Sequence, residues 1–438
     1  MKKITLLMIL ACACLCVSAG FAYAGETDIL LQKLVEKGVL TPGEAQQIGT
    51  ETKETVKKEI AQSKYDLLPE WIQKTKFKGD FRLRYQWQDL RSGSFDGASS
   101  NSTPSVTNLA RIRLRAGFET QVNDQVKAGF GFATNTGDPR STNITLGKDS
   151  TANTPGSFKN ISVDYAYGQY SPTSWLSVTG GKFKNPVWMP HNLIWDNDLN
   201  PEGVNFQADY RLNPYFGLFL NGEMFVLNYE SNSGSDTMMY AIQPGFKYNL
   251  HDWLDVKGAV AGFFMPNIKG KAVYSKWATN SVQGGSYVYD YNSIYPNLEL
   301  GFKEPFKGVP VLGEYVPYVG LFSEFIYNPS PETGKGGYEY GVKFGSEKVG
   351  DWGQWQARVN YDKLGRDAFL DIFPDSDRYN GRTNMQSWET NLEYGLGKNT
   401  SLGLNYHWAQ SLSKQTSGGA LDSSLPQQLV LVDWNLKW

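Results

Sequence analysis

In Phe77-Lys78-Gly79-Asp80-Phe81-Arg82-Leu83-Arg84-Tyr85-Gln86-Trp87-Gln88 every odd position is apolar or Gly, and every even position is charged or an amide. A period of two puts alternate side chains on opposite faces, so the segment predicts a β-strand with one greasy and one wet face. Ala110-Arg111-Ile112-Arg113-Leu114-Arg115-Ala116-Gly117-Phe118-Glu119 repeats the alternation and places three arginines on one face. Further strands are predicted over 126–134, 161–170, 175–184, 204–212, 215–228, 239–250, 253–265, 294–303, 314–327, 337–346, 353–364, 386–397, 401–411 and 426–438. That makes about sixteen, an even number. Two fit the pattern poorly. Pro317 lies inside the segment 314–327 and needs a bulge or a terminal place. The segment 215–228 is apolar in both phases, which suits a subunit contact or packing against an infolded loop.

The links between these strands alternate in length. Short ones fall at 123–124, 171–174, 213–214, 251–252, 304–313, 347–352 and 398–400. Long ones lie between them, at 90–108, 135–160, 185–203, 229–237, 266–293, 329–336, 365–385 and 412–425. A meander of antiparallel hairpins produces this sorting when one rim carries tight turns and the other large external loops. A closed sheet of about sixteen strands encloses more space than side chains can fill, so its lumen is wet and its apolar face points outward into lipid. Closure also satisfies every backbone hydrogen bond where no water is available. The predicted fold is all-β: a transmembrane antiparallel β-barrel of about 16 strands over 75–438, closed by a strand that ends on Trp438. Trp87, Trp175, Tyr210, Tyr229, Trp253, Trp355 and Trp408 stand near strand ends, where interfacial aromatics belong.

Composition agrees with this reading. The chain has 438 residues, 42 Lys+Arg against 44 Asp+Glu and 14% aromatics, with a mean hydropathy of -0.42. So many aromatics exclude a disordered chain. No apolar run long enough for a membrane helix occurs beyond the N-terminus. Lys2 and Lys3, the apolar stretch 4–17 and Ala22-Tyr23-Ala24 read as a secretory signal over 1–24. A lipoprotein cut at Cys12 would leave Ala22-Tyr23-Ala24 unexplained. All three cysteines, Cys12, Cys14 and Cys16, lie inside that signal, so the mature chain carries no disulfide and no thiolate site. Its 40 basic against 44 acidic residues give no reason to expect a nucleic-acid partner.

From 25 to 74 the period is helical. Ile29, Leu30, Leu34 and Val35 share a face, Gly38 stops the first run, and Thr41-Pro42-Gly43-Glu44 has the form of a capping box. The charged stretch 51–63 suits a coiled coil or an exposed helix. This segment is expected to be a short periplasmic helical appendage to the barrel.

Several stretches resemble the putative porin family of Gram-negative outer-membrane channels. They are Phe81-Arg82-Leu83-Arg84-Tyr85, Arg111-Ile112-Arg113-Leu114-Arg115, the run 133–143, Gly180-Gly181-Lys182-Phe183-Lys184-Asn185-Pro186, Trp195-Asp196-Asn197-Asp198-Leu199-Asn200-Pro201-Glu202-Gly203-Val204, and the helical prefix 34–41. The dense motifs lie within 77–212. The resemblance implies a passive diffusion channel and leaves the solute open.

If the apolar phase faces lipid, Lys78, Arg82, Arg84, Arg111, Arg113 and Arg115 line the lumen with Asp80 and Glu119 as the acids among them. Such a ladder lowers the energy of a passing anion. The same arginines can instead pair with acids of an infolded loop, as wall contacts. The link 185–203 is the candidate constriction, because it mixes Trp188, His191 and Trp195 with Asp196, Asp198 and Glu202. Its acids, set opposite the ladder, would place a transverse field across the pore. Asp196-Asn197-Asp198 lacks the Gly and distant Glu of a calcium loop. His191, His251 and His407 have no metal-ligand spacing, and Ser401, Asn405 and His407 form no recognisable triad. No catalytic residue, metal or cofactor is therefore expected. The function read from the sequence is an outer-membrane porin passing small hydrophilic solutes, with a basic patch favouring anions. The alternative is a structural barrel acting as sheath or anchor for a periplasmic or surface partner such as a redox complex. The expected partners are outer-membrane lipid, the solutes, the assembly machinery acting on the strand that ends at Trp438, and further copies of the chain.

Overall fold

The structure, a computed structural model, describes residues 30–31, 33–52, 54, 69–90, 105–147, 156, 158–229, 236–250, 252–274, 279–413 and 426–438. The proposed signal with its cysteines, most of the charged stretch 51–63, and His251 lie outside the described residues. Two compact units divide between Lys74 and Thr75.

In the N-terminal unit Gly38 ends the first helical run in the left-handed region, at φ 69°. Thr41 then caps the helix that starts at residue 42. The Thr41 N–H donates to Glu44 Oε2 at 2.9 Å, and the Glu44 N–H donates to Thr41 Oγ1 at 3.3 Å. This is the reciprocal bonding expected from Thr and Glu three apart, since each side chain satisfies a backbone N–H that the helix start leaves orphaned.

The second unit is a closed barrel. Its strands are β1 (Thr75–Leu90), β2 (Ser105–Gln121), β3 (Val126–Thr134), β4 (Ile161–Thr173), β5 (Leu176–Lys182), β6 (Glu202–Arg211), β7 (Phe216–Asn228), β8 (Thr237–Leu250), β9 (Leu254–Phe264), β10 (Ile294–Lys303), β11 (Tyr318–Tyr327), β12 (Gly336–Gly345), β13 (Trp355–Leu364), β14 (Met385–Gly397), β15 (Thr400–Ser411) and β16 (Gln427–Lys437). Each pairs antiparallel with its sequence neighbours, and β16 closes on β1 with Arg84 opposite Asp433. The last residue takes part in the closure: the Trp438 and Gly79 backbones exchange two hydrogen bonds of 3.1 Å. Gly79 is needed there, because a Cβ would meet the Trp438 ring at 2.5 Å.

The phase of the alternation is as the sequence requires. Leu83, Leu114, Phe130, Val204, Leu321, Leu404 and Val432 are exposed on the outside, whereas Arg84, Gln86, Arg113, Glu339 and Asp433 are buried on the lumen side. The interior of this protein is thus its polar face, the inverse of a soluble barrel.

Two details differ from the sequence reading, and a third follows one of the two readings it offered. The strand expected over 314–327 begins at Tyr318, after a four-residue helix Leu312–Tyr315, so Pro317 precedes the ladder instead of interrupting it. The link 304–317 is consequently longer than the long-rim links 229–236 and 328–335. The doubly apolar β7 turns Phe219, Phe225 and Leu227 inward, where loops cover them. Trp188 meets Phe219 edge-on at 6.3 Å, and Trp195 and Phe373 each lie 6.2 Å from Phe225.

Candidate functional site

The lumen divides along its axis. Toward the rim of long links it is filled by 183–201, 265–274, 279–293 and 365–384, which bury Leu193, Ile194, Met265, Ile268, Phe369, Leu370 and Phe373 against the strand residues Met239, Ala261, Phe263, Tyr295, Ile326, Leu364 and Met385. Trp195 stacks on Phe373 at 4.6 Å and 16° and donates its indole N–H to Leu199 O at 3.1 Å. Toward the rim of short links the lumen stays open.

Two walls of opposite sign hold the infolded loops. On β1 and β2 the arginines are all engaged. Arg84 takes Asp433 in a two-pronged grip, at 2.7 Å from Nε and 2.9 Å from Nη2, and gives its third nitrogen to Asp377 at 2.7 Å. Arg82 donates to Asn435 Oδ1 at 3.0 Å, and Arg113 reaches Asp80 at 2.7 Å. Arg111 donates to Gln86 Oε1 at 3.1 Å and to the Asn143 carbonyl at 2.9 Å. Arg115 is paired with Asp198, whose other oxygen accepts from the Thr142 N–H at 3.0 Å. Fork-to-carboxylate bonding of this kind holds geometry firmly.

The opposing wall is acidic. Glu324, Glu339, Asp362 and Glu389 stand on β11, β12, β13 and β14, all buried and all lumen-facing. Glu324 accepts from the backbone N–H of His191, from Leu193 at 3.0 Å and from the Tyr295 hydroxyl at 2.7 Å. The His191 ring meets Glu339 at 2.5 Å, and Arg358 pairs with Glu389. Arg378, 1% exposed, projects from the loop 365–384 into this wall, 3.7 Å from Asp362, 3.8 Å from Glu339 and 3.9 Å from Glu389. One loop therefore presents Asp377 to the arginines and Arg378 to the acids.

Burial sets the protonation of the loop groups. Burial and the charge of Arg358 push His191 well below its ordinary value, so the ring is neutral. Burial alone would raise Asp198, but the guanidiniums of Arg115 and Arg113 hold it well below the carboxylate range. Asp196 goes the opposite way, raised by burial and by the Asp375 and Asp198 charges. Asp375 is pushed up to about 6 by burial and by neighbouring Asp377.

A sequence profile for "Putative porin" matches residues 45–325 and 289–422. The chain belongs to the putative porin family. Solved structures resemble it in fold. OprB of Pseudomonas putida, in a high-pH structure, is 10% identical, with a TM-score of 0.51 over 83% of this chain and 94% of that one. The outer membrane channel DcaP of Acinetobacter baumannii is 13% identical, with a TM-score of 0.45 over 83% and 97%. A Rhodopseudomonas blastica porin triple mutant is 9% identical, with a TM-score of 0.42 over 83% and 100%. No curated protein matches the sequence. Family and fold are those of outer-membrane β-barrel channels rather than enzymes.

Within this porin the sequence-predicted site residues separate into five groups. Arg82, Arg84, Arg111, Arg113, Arg115, Asp80 and Asp198 meet in the arginine wall, and His191 reaches the acid wall. Trp188, Trp195 and Asp196 pack within the infolded loops; the Asp196 carboxylate accepts from the Ser376 N–H at 2.8 Å. Glu202 is on the outer phase with Val204 and Phe206, paired with Lys182 at 2.6 Å, and does not face the lumen. Lys78 and Glu119 lie in the open half, 2.5 Å apart. Ser401 and His407 share a strand face six residues apart, a separation of about 20 Å that rules out a triad between them. The acid wall and the loop 365–384 are functional parts that sequence reasoning missed. The loop shares with 183–201 a mixture of acids and buried aromatics and adds Arg366, Arg378 and Arg382, and that composition was the available signal.

Proposed function

We propose that this porin is a passive outer-membrane channel for small hydrophilic solutes, selective by width at the infolded loops and by wall charge, with a preference for anions. The observation that carries the preference lies in the open half. Lys78 and Lys127 converge on the single carboxylate of Glu119, at 2.5 and 3.6 Å, and Lys257 lies over the Trp188 ring at 4.3 Å. Lys78 is more than half exposed, whereas Arg84, Arg113 and Arg115 of the ladder each hold a carboxylate. A hydrated cation excess along the wall favours anion entry. The short-link rim, where β1 begins and Trp438 ends, is assigned to the periplasm, and with it the helical segment 25–74. The closing strand is the segment offered to the assembly machinery, and further copies of the chain are candidate neighbours in the membrane.

Planar-bilayer recording tests the reading. The purified protein alone is expected to give discrete ohmic steps and a reversal potential on the chloride side in a KCl gradient. Silence until a partner is removed would instead mark the barrel as a sheath.

A further inference from the structure

We propose that the open half of the lumen contains a subsite for small ring-bearing carboxylates, built on a shelf of two tyrosines; the proposal rests on the channel reading and names a solute class for it. Tyr165 and Tyr167 face inward from β4, with ring centroids 5.9 Å apart. They lie on the wall because the lumen-facing positions beneath them are glycines. A Cβ at Gly131 would meet the Tyr165 ring at 2.5 Å, and one at Gly129 would meet the Tyr167 ring at 2.8 Å. Gly117, on β2 opposite Gly131, extends the bare strip. Three lumen-facing glycines on two adjacent strands cost sheet stability, since glycine packs nothing and loses the most entropy on ordering. Here they let two aromatic rings lie along the wall of a wet barrel.

The shelf borders a cavity of about 560 Å³, a volume ample for a one-ring solute. Lys78, Lys127, Lys184, Lys437 and Arg115 line it against Asp80, Glu119 and Asp164. Lys184 lies 3.8 Å from Asp164, and Lys127 stands 5.7 Å over the Tyr167 ring. The Tyr167 hydroxyl donates to Glu119 Oε1 at 3.1 Å, which leaves that carboxylate shared between two lysines and a phenol. An aromatic acid uses both features, its ring offset against a tyrosine and its carboxylate between ammonium groups. Acetate has no ring to place, and a neutral ring compound gains nothing from the lysines.

Sodium benzoate is the probe, with acetate and benzyl alcohol as controls, on the full-length folded protein. Benzoate is expected to bind the detergent-solubilised barrel in calorimetry and to interrupt single-channel current, each control binding about tenfold more weakly. Tyr165→Leu with Tyr167→Leu should raise the benzoate dissociation constant about tenfold. Lys78→Gln with Lys127→Gln should raise it about threefold and narrow the gap to benzyl alcohol. Heat-modified gel mobility checks that each variant has closed. Equal binding of benzoate and acetate, or a leucine pair that binds like the wild type, overturns the shelf. Benzoate binding by a protein that stays silent in bilayers overturns the channel reading and leaves the shelf standing, whereas conductance without benzoate preference does the reverse.

Discussion

The two halves of the lumen solve opposite problems with the same residue types. In the long-link half charges are dry and clustered with opposite charges: Arg84, 3% exposed, has three carboxylate bonds from two carboxylates, and Arg378 sits among three acids. In the short-link half they are wet and unequal, and Lys78 is more than half exposed. Buried ions must be paired because desolvation is costly, so they fix loops in place and offer little to a solute. Exposed ions form weak pairs that a passing solute can exchange. The difference teaches that a basic residue facing a pore is not by that fact a selectivity element; its hydration decides.

The largest test of this contrast is Arg378→Ala. Removing one partner from a buried cluster strands the others, so docking of the loop 365–384 should weaken by about 3–5 kcal/mol. Proteolysis within the loop and a rise in single-channel conductance would measure it. A variant as resistant and as narrow as the wild type breaks the division between halves.

The second test is pH. Asp375 has a docked-state value pushed up to about 6. A carboxyl whose value is raised on docking binds its proton more readily in the docked state, so docking strengthens as pH falls through 6 and weakens above it. Buried neutral His191 opposes this, since its lowered value costs docking stability as pH drops below the ordinary histidine range. Comparing the wild type with Asp375→Asn isolates the carboxyl. Between pH 7.5 and 5 the wild type should gain about 1 kcal/mol of docking relative to the variant, read from hydrogen exchange over 365–384. Parallel pH profiles would place Asp375 in water.

Selectivity should respond more modestly and in the other half. Lys78→Gln with Lys127→Gln is expected to lower the anion-to-cation permeability ratio about twofold. Arg82→Gln with Arg113→Gln, in the matched wall, should move reversal potential less while disturbing the barrel more. The opposite ranking would return selectivity to the ladder. The smallest effect is expected from deleting residues 26–70, which should leave a heat-resistant barrel able to insert; failure to close would show that the barrel depends on the helical unit.

Strand number, phase and closure were legible because they rest on local rules. A period of two fixes which face each residue takes, and the capping box at Thr41 and Glu44 needs only four consecutive residues. The ladder was legible as a row of charges but not as a set of bonds. Its partners Asp433, Asp377 and Asp198 are contributed by the closing strand and by two loops far along the chain. Pro317 and Glu202 were misplaced for a smaller reason, that strand starts drift when only the pattern is used, from 314 to 318 and from 204 to 202.

The acid wall was present as acids on four predicted strands, yet nothing local says that 324, 339, 362 and 389 converge or that Arg378 descends among them. By itself the amino-acid order determined an outward greasy band around an inward polar one, since solvent on each side of a strand is chosen residue by residue. Only the closed tertiary structure decided which of those polar groups are matched and dry and which are left in water. Pairing and hydration depend on what the opposite wall and the returning loops bring, and that is a property of distance in space.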